Sequence, residues 1–262
     1  MIHSKELVEP IVIKLGGSVV TVKEKPYTVN HDAIKRLSKI IFKNYRAGKR
    51  LVLVHGGGSF GHTAVSEISQ RKGILDVIDV AFVQYKMLEL ATIITKAFID
   101  EGIPVTLYPG HVLCRKSADC NFELLYEDLE NGLVPMTYGD IVYGDRGYAI
   151  ISGDDLAFWI SSALGARKIY FVTSEPGVLD KEGQIIRRVT NIDQVSDLGT
   201  KGYDVTGGMK KKVHAALEYS SNHDVEIRIL DIDGLEKVLG GGEAGSIIVD
   251  SQKRLVNRGR RK

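Results

Sequence analysis

The stretch LVLVHGGGSFGH, residues 51–62, is the segment from which the rest of the chain can be interpreted. It begins with four aliphatic residues, which is typical of a short buried strand, and it has four glycines within residues 56–61. Glycines let backbone N–H groups approach an anion closely, and α/β proteins bind ligands at the carboxyl ends of parallel strands. The spacing is that of neither a dinucleotide fingerprint nor a P-loop. The stretch therefore predicts a phosphate-binding loop of another kind.

Short apolar runs alternate with longer segments of helical period on both sides of this stretch. That order predicts an α/β fold with a largely parallel sheet covered on both faces, and no linker or repeat separates domains. A turn-rich segment at 138–148 predicts a hairpin. The predicted strands are 11–14, 51–54, 104–107, 134–136, 168–172 and 226–230, and the predicted helices are 31–45, 77–101, 154–164 and 208–221.

The composition is that of an ordinary globular protein, with 262 residues, 44% of them hydrophobic and 26% charged, and a formal net charge of +2. This charge gives no reason to expect nucleic acid or a membrane as a partner. Cys114 and Cys120 have no second Cys or His pair at ligand spacing, so neither a disulfide framework nor a zinc site is indicated. We find no leader and no apolar run long enough for a membrane span, and we expect a soluble protein in the reducing cytoplasm.

Three further motifs join glycines to charged side chains. A strand ends in Lys14 and runs into a glycine pair, SGDD at 152–155 opens a predicted helix, and TGGMKKK at 206–212 leads a second glycine pair into a lysine-bearing helix. Each motif also has an ordinary structural explanation: a strand-to-loop turn, helix capping, and a solvated lysine face. A lone His62 would be an ordinary surface histidine, but beside a glycine-rich loop we favour a functional role. Helix capping is the role expected for Asp155.

Together these motifs supply anion-binding loops and cations, without a reactive cysteine, a Ser-His-Asp grouping or a set of metal ligands. Phosphoryl transfer needs such parts, because positioned cations and N–H groups can stabilise the charge that spreads over the transferred group. The residues therefore favour phosphoryl transfer.

The order of these motifs, together with YGD at 138–140, residues 173–178 and GSI at 245–247, resembles the amino acid kinase family over nearly the whole chain. Within that family, the combination GGGSFGH, YGD and SGDD is most similar to the isopentenyl phosphate kinases. The resemblance implies one domain over 1–262, an open αβα sandwich with the acceptor in the N-terminal half, about 1–165, and ATP in the C-terminal half, about 166–262. It also implies that isopentenyl diphosphate is made in the archaeal-type mevalonate route, with Mg²⁺ accompanying ATP and a homodimer as the assembly.

The resemblance assigns roles to individual residues. Lys14 and Lys23 would contact the transferring phosphoryl group, Asp154 would hold the lysines in position, and His62 would bind the acceptor phosphate. The substrate-binding glycines would be Gly57, Gly58, Gly61 and Gly153. The ATP-binding residues would be Lys14, Gly16, Gly17, Ser18, Thr173, Gly177, Gly207, Gly208 and Lys212, with Lys210 and Lys211 as alternatives to the last. No metal site made by the protein's own side chains is expected.

The residues leave the acceptor open. Fosfomycin kinases resemble this subfamily closely, and kinases of carbamate, acetylglutamate and uridylate share the family. A ligand-sensing regulator on the same fold is a candidate from another class, but the retained lysines argue against it. A prenyl phosphate needs a phosphate cradle and an apolar wall. The long predicted helix offers residues for such a wall, although simple core packing is the alternative explanation for them. These residues are Val80, Phe82, Val83, Met87 and Leu88.

Overall fold

The structure is a computed structural model, and it describes residues 9–72, 76–145, 147–196 and 208–249. The chain divides into two compact units, Met1–Ala166 and Arg167–Lys262. Each unit is built on strands that are mostly parallel, with helices packed against them. Among the described residues, no helix is both long and apolar enough to span a bilayer.

The strands of the first unit form a larger parallel sheet and a smaller mixed one. They are β1 (Ile11–Leu15), β2 (Leu51–His55), β3 (Val105–Tyr108), β4 (Cys114–Lys116), β5 (Asp119–Cys120), β6 (Val134–Tyr138), β7 (Asp140–Gly144) and β8 (Gly147–Ile151). The larger sheet has the parallel order β3-β6-β2-β1, and the smaller has the order β5-β4-β7-β8. Every residue of β1, β2 and β6 is buried. Because successive side chains point to opposite faces, both faces of the larger sheet are covered.

The first unit has seven described helices, and a side chain caps the start of three of them. The seven are α1 (Gly17–Val20), α2 (His31–Arg46), α3 (Gly58–Lys72), α4 (Val77–Asp100), α5 (Gly110–Leu113), α6 (Glu123–Glu130) and α7 (Gly153–Leu164). The side chain of Asn30 accepts from Ala33 N at the start of α2, and Asp76 forms a capping box at the start of α4. Ser152 and Asp155 form the capping box of α7, which is the role expected for Asp155.

The second unit contributes four strands and two α-helices among its described residues. Its elements are β9 (Lys168–Val172), β10 (Arg188–Val189), α8 (Gly208–Asn222), β11 (Glu226–Leu230), α9 (Ile232–Leu239) and β12 (Ser246–Ile248). β11 pairs with β9 in parallel and with β12 in antiparallel orientation, and β12 pairs with β10 in parallel. Four of the five residues of β9 and of β11 are buried, which anchors the loops that leave these strands.

The predicted α/β class with a largely parallel sheet is confirmed. Each predicted strand and helix begins and ends within two residues of the bounds of an observed one. The hairpin is shifted: its strands are β7 and β8, while Tyr138 closes β6. The sequence missed the short elements α1, α5, α6, α9, β4, β5, β10 and β12.

The expectation that no disulfide forms was wrong. Cys114 and Cys120 are joined in a disulfide, and they are directly paired residues of the antiparallel strands β4 and β5. Their separation along the chain suggested no framework, because spacing alone does not show that two residues face each other across a short hairpin. The disulfide joins β5, the edge strand of the smaller sheet, to its neighbour β4.

Candidate functional site

Two glycine loops meet at the carboxyl edge of the larger sheet in the first unit. One follows β1 and the other follows β2, and these strands pair in parallel with Leu15 opposite His55. A Cβ atom added to Gly17 would lie 2.3 Å from Gly58 N, and one added to Gly56 would lie 2.9 Å from Gly17 N. The two loops therefore pack backbone against backbone, and larger residues would push them apart.

Gly58 is the most constrained residue of this contact. Its φ is +48°, and a Cβ atom there would lie 2.1 Å from Thr21 Oγ1. Thr21 Oγ1 donates to Gly17 O at 2.7 Å and accepts from Ser59 N at 2.9 Å, so one hydroxyl ties both loops together. Gly58 is also the first residue of α3, and the first turn of a helix presents N–H groups that attract anions.

Lys14 brings a cation to the same edge. It is the fourth residue of β1 and is only 8% exposed, and its Nζ lies 2.8 Å from Asp154 Oδ1. This contact is an ion pair between a largely buried ammonium group and a carboxylate. A Cβ atom added to Gly56 would lie 3.4 Å from Lys14 Nζ, and one added to Gly153 would lie 3.3 Å from Lys14 Cε. The ammonium group is thus enclosed between the β2–α3 loop and the start of α7.

A third loop, between β6 and β7, completes this edge. A Cβ atom added to Gly139 would lie 2.7 Å from Gly153 N, so the YGD motif packs against the start of α7. Asp140 is buried, accepts from Ile141 N at 2.8 Å, and lies 2.6 Å from His111 Nδ1. This hydrogen bond raises the pKa of His111, against the opposing effect of burial. The aspartate of YGD therefore holds the loop in place.

His55 is a neutral, buried neighbour of Lys14 that the sequence did not single out. Its Nδ1 lies 3.2 Å from Gly56 O, and its ring centroid lies 5.0 Å from that of Tyr138. The pKa of His55 is lowered to about 4, chiefly by burial and also by the charge of Lys14, while the hydrogen bond to Gly56 opposes the shift. The imidazole is uncharged at neutral pH, so it adds no second positive charge beside Lys14. Its position at the end of a buried strand is the signal that could have identified it.

The predicted acceptor residues lie along α3. Gly57 precedes the helix, and Gly58, Gly61 and His62 lie within its first five residues. Residues three and four apart share a helix face, so the exposed His62 is on the same face as Gly58. A Cβ atom added to Gly57 or to Gly61 would lie 3.0 Å from Met87 Sδ. Met87 of α4 therefore packs directly against the β2–α3 loop and the first turns of α3.

The remaining predicted residues of the first unit are solvent-facing or contribute backbone. Gly16 precedes α1, and Ser18 is an exposed residue within it. Lys23 is exposed in the loop between α1 and α2. The structure thus brings Lys14 and Asp154 into direct contact with the loops that contain glycines 17, 56, 58 and 153. Lys23 and His62 are exposed to solvent.

In the second unit, the loop after β9 is built around Thr173 and Gly177. Thr173 N donates to Leu230 O at 2.7 Å, and Thr173 Oγ1 donates to Glu175 O at 2.8 Å. Gly177 is buried, and a Cβ atom there would lie 2.8 Å from both Ile185 Cγ2 and Ser246 Oγ. Ser246, from the GSI motif, accepts from Val178 N at 2.8 Å. The motif therefore fixes the shape of this loop.

The lysines of α8 differ in their surroundings. Gly208 is the first residue of the helix, and the predicted residues Thr206 and Gly207 lie outside the described part of the chain. Lys211 is exposed, whereas Lys212 is half-buried with its Nζ 4.9 Å from the ring centroid of Phe171 in β9. This cation–π contact directs Lys212 toward the sheet of its unit.

Comparison with known proteins gives this arrangement a family. The profile of the amino acid kinase family matches residues 9–231. An isopentenyl phosphate kinase of Methanocaldococcus jannaschii is 34% identical over 77% of this chain and 84% of its own length. One of Haloferax volcanii is 32% identical over 91% of this chain and 98% of its own length. A crystal structure of an isopentenyl phosphate kinase superposes with a TM-score of 0.78 at 26% identity, covering 92% of this chain and 100% of the other. The chain belongs to the amino acid kinase family.

The contact between the two glycine loops can be tested through stability. We expect Gly58→Ala to lower the free energy of unfolding by about 2–4 kcal/mol, since it adds a backbone clash to the cost of a positive φ. Gly48→Ala is the matched control, because Gly48 has a φ of +80° and a Cβ atom there would meet no atom within 4 Å. It should cost only about 1 kcal/mol. Urea unfolding measures both, and equal losses would mean that the loops do not constrain this position.

Proposed function

We propose that this protein transfers the terminal phosphoryl group of ATP to isopentenyl phosphate, forming isopentenyl diphosphate. The observation that carries the proposal is the enclosed ammonium group of Lys14, held 2.8 Å from Asp154 between the β2–α3 loop and the start of α7. A cation fixed in this way can stabilise the charge of a transferring phosphoryl group without having to reorganise during the reaction. The kinship with isopentenyl phosphate kinases supports the choice of acceptor.

A phosphate acceptor suits the polar groups on α3. A phosphate oxygen is already a nucleophile at neutral pH, so no general base is needed to deprotonate it. Because His62 lies on the face of α3 that includes Gly58, it can donate a hydrogen bond to an acceptor phosphate that the loop binds. His55 is a poor alternative, since it is fully buried and uncharged.

A prenyl chain suits the apolar cluster behind this loop. Met87 and Val83 of α4 pack there with Ala64 of α3, and Tyr138 and Ile141 close the cluster from the β6–β7 region. Within this cluster, Met87 Sδ comes close to the β2–α3 loop, since it would lie 3.0 Å from a Cβ atom added to Gly57 or to Gly61. An acceptor whose phosphate lies on the loop would therefore place its hydrocarbon end toward these side chains.

We assign ATP to the second unit, where the loop from Thr173 to Gly177, the start of α8 and the half-buried Lys212 supply backbone groups and a cation. Mg²⁺ would be held mainly by the phosphate oxygens of ATP, with one or two carboxylates at most, and would neutralise part of their charge. Location in the cytoplasm stays a prediction.

A homodimer is the proposed assembly, and the exposed face of α4 supports it. Ile78, Tyr85 and Ile99 are 73%, 57% and 53% exposed. These three residues are separated by multiples of seven along α4, so they share one stripe of the helix surface. Leu88, which is 42% exposed, lies three residues after Tyr85, next to this stripe. This is the spacing of two helices that pack along a seam, and a second copy of the chain presents the same stripe, so the surface is self-complementary.

The first test is the acceptor itself. With ATP and Mg²⁺, the wild-type protein should form ADP when isopentenyl phosphate is added, and mass spectrometry should detect isopentenyl diphosphate. Lys14→Ala should lose about 100- to 1,000-fold in turnover, the size of losing one preorganised charge donor, and it controls for a contaminating kinase. Lys96→Met, at an exposed pair with Asp100, should be unchanged. If the wild type phosphorylates a carboxylate or phosphonate and ignores isopentenyl phosphate, the acceptor assignment is wrong.

The role of His62 can be separated from that of the nucleotide site. We expect His62→Ala to lose most activity on isopentenyl phosphate, because it removes the donor, and His62→Gln to keep more of it through one remaining N–H group. The KM for ATP should change little in either variant. Steady-state kinetics with each substrate varied in turn is the measurement, and near-normal values for both variants would make His62 an ordinary surface residue.

The dimer surface can be tested by placing charge on it. Ile78→Lys and Ile99→Lys together should convert a wild-type particle of twice the chain mass into a monomer, because two lysines would face two lysines across the seam. Leu124→Lys is the control, since Leu124 is 49% exposed but lies on α6. Light scattering after size exclusion measures the mass. A wild-type monomer, or a doubly substituted dimer, would contradict the proposed surface.

A further inference from the structure

The loop that carries Lys23 is closed at its base by backbone hydrogen bonds. Val22 N donates to Thr28 O at 2.9 Å, and Asn30 N donates to Val20 O at 3.0 Å. Residues 23–26 form the tip and are exposed. These bonds fix the base of the loop but not its direction, so the direction depends on what the loop contacts outside itself.

Tyr27 provides such contacts to α3. Its backbone N donates to Ser59 O at 3.3 Å, and its hydroxyl donates to Glu67 Oε2 at 2.9 Å. Its ring packs edge-on against Phe60, with the ring centroids 5.8 Å apart. The next residue, Thr28, adds a contact, because its N donates to Ser59 Oγ at 3.3 Å. The loop is therefore joined to the first turn and to the middle of α3.

Tyr27 also contacts α4 through a cation. Lys86 Nζ lies 4.6 Å from the centroid of the Tyr27 ring, and it is held there by an ion pair of 2.8 Å with Glu89. The side chain of Lys86 is only 17% exposed, so this cation–π contact is partly shielded from water. Tyr27 thereby links the loop to the two helices that border the predicted acceptor site.

The backbone of Tyr27 is in a conformation that its residue type disfavours. Its φ is +49°, in the left-handed region, where a bulky side chain meets steric crowding. Such a conformation persists only when the surroundings fix it, and residues of this kind concentrate at functional sites. The contacts to α3 and α4 are the surroundings that fix Tyr27, and the disfavoured φ turns the loop at this residue.

We propose that Tyr27 is a positioning residue for phosphoryl transfer, which sets the direction of the loop that presents Lys23. The inference rests on the proposed function and on the role that the family resemblance implies for Lys23, which is contact with the transferring phosphoryl group. Lys23 lies in the exposed tip of this loop, so a shift at Tyr27 would move its ammonium group relative to Lys14. A displacement of about 1 Å can cost a reaction of this type on the order of 100-fold.

If Tyr27 contacted the acceptor directly, its removal would change a different kinetic constant. Its ring also packs against the apolar cluster that contains Val83 and Met87, so it could simply contact the hydrocarbon end of the acceptor. In that case removing the ring would raise the KM for isopentenyl phosphate, whether or not Lys23 is present. If Tyr27 acts through Lys23, removing the ring should lower kcat and should do so only when Lys23 is present.

The experiment is a double-mutant cycle with Tyr27→Gly and Lys23→Ala. Glycine removes the ring but accepts the positive φ, so this variant should fold where alanine could fail. We expect Tyr27→Gly to lower kcat about 10- to 100-fold, and to lower it less than about twofold in the Lys23→Ala background. Tyr27→Phe, which keeps the ring contacts and loses the hydroxyl, should retain most of the activity. Lys86→Met should give a smaller loss that also disappears without Lys23.

The controls separate this inference from the proposed function. Tyr126→Ala removes a tyrosine that is 44% exposed on α6, and its kcat should equal that of the wild type. Equal losses from Tyr27→Gly in both backgrounds would overturn the inference, as would a change confined to KM. If the wild type does not use isopentenyl phosphate, the proposed function fails, and hydrogen exchange then tests the loop. Tyr27→Gly should speed exchange of the amides of residues 27 and 28, which bond to Ser59, and unchanged exchange would show that Tyr27 does not hold the loop against α3.

Discussion

Backbone contact between the loops after β1 and β2 is the constraint on which the rest of the first unit depends. Gly17, Gly56 and Gly58 are close enough that an added Cβ atom would overlap a neighbouring main chain. This contact brings the start of α3 beside the end of β1, and so it places Lys14 next to the N-terminus of a helix. The hydroxyl of Thr21 fixes the distance, because it bonds to both loops at once. Without the contact, the cation and the anion-attracting helix end would belong to separate surfaces.

Charge at this edge is controlled by what surrounds Lys14. An ammonium group in a largely buried position needs a partner, and Asp154 supplies it from the first turn of α7, where a carboxylate is favoured by the helix dipole. His55 is close but uncharged, because burial opposes its protonation. The result is one fixed positive charge beside a set of glycine loops. A phosphate that approaches this charge would share it with the carboxylate of Asp154.

Much of the fold could be predicted from the sequence, because the buried strands and long helices have strong periodicity and the glycine motifs mark where the strands end. The short elements β4, β5 and α6 carry little pattern, so they and the Cys114–Cys120 disulfide were beyond sequence reasoning. In the site, Lys14, Asp154 and the glycines lie in contiguous motifs that the sequence singled out, and the family resemblance supplied the roles predicted for them. His55 and Tyr27 were missed for another reason. The burial of His55 and the positive φ of Tyr27 are properties of the packed chain, and they cannot be inferred from the residue type.

The disulfide between β4 and β5 has a practical consequence for biophysical work on this protein. The chain has two cysteines in all, and both are used in this bond, so the oxidised protein presents no thiol to a maleimide or a nitroxide reagent. A single cysteine introduced at a chosen surface position would then be the sole labelling point. Fluorescence or spin-label measurements could follow one loop against an unlabelled background, provided that no reductant is present in the buffer.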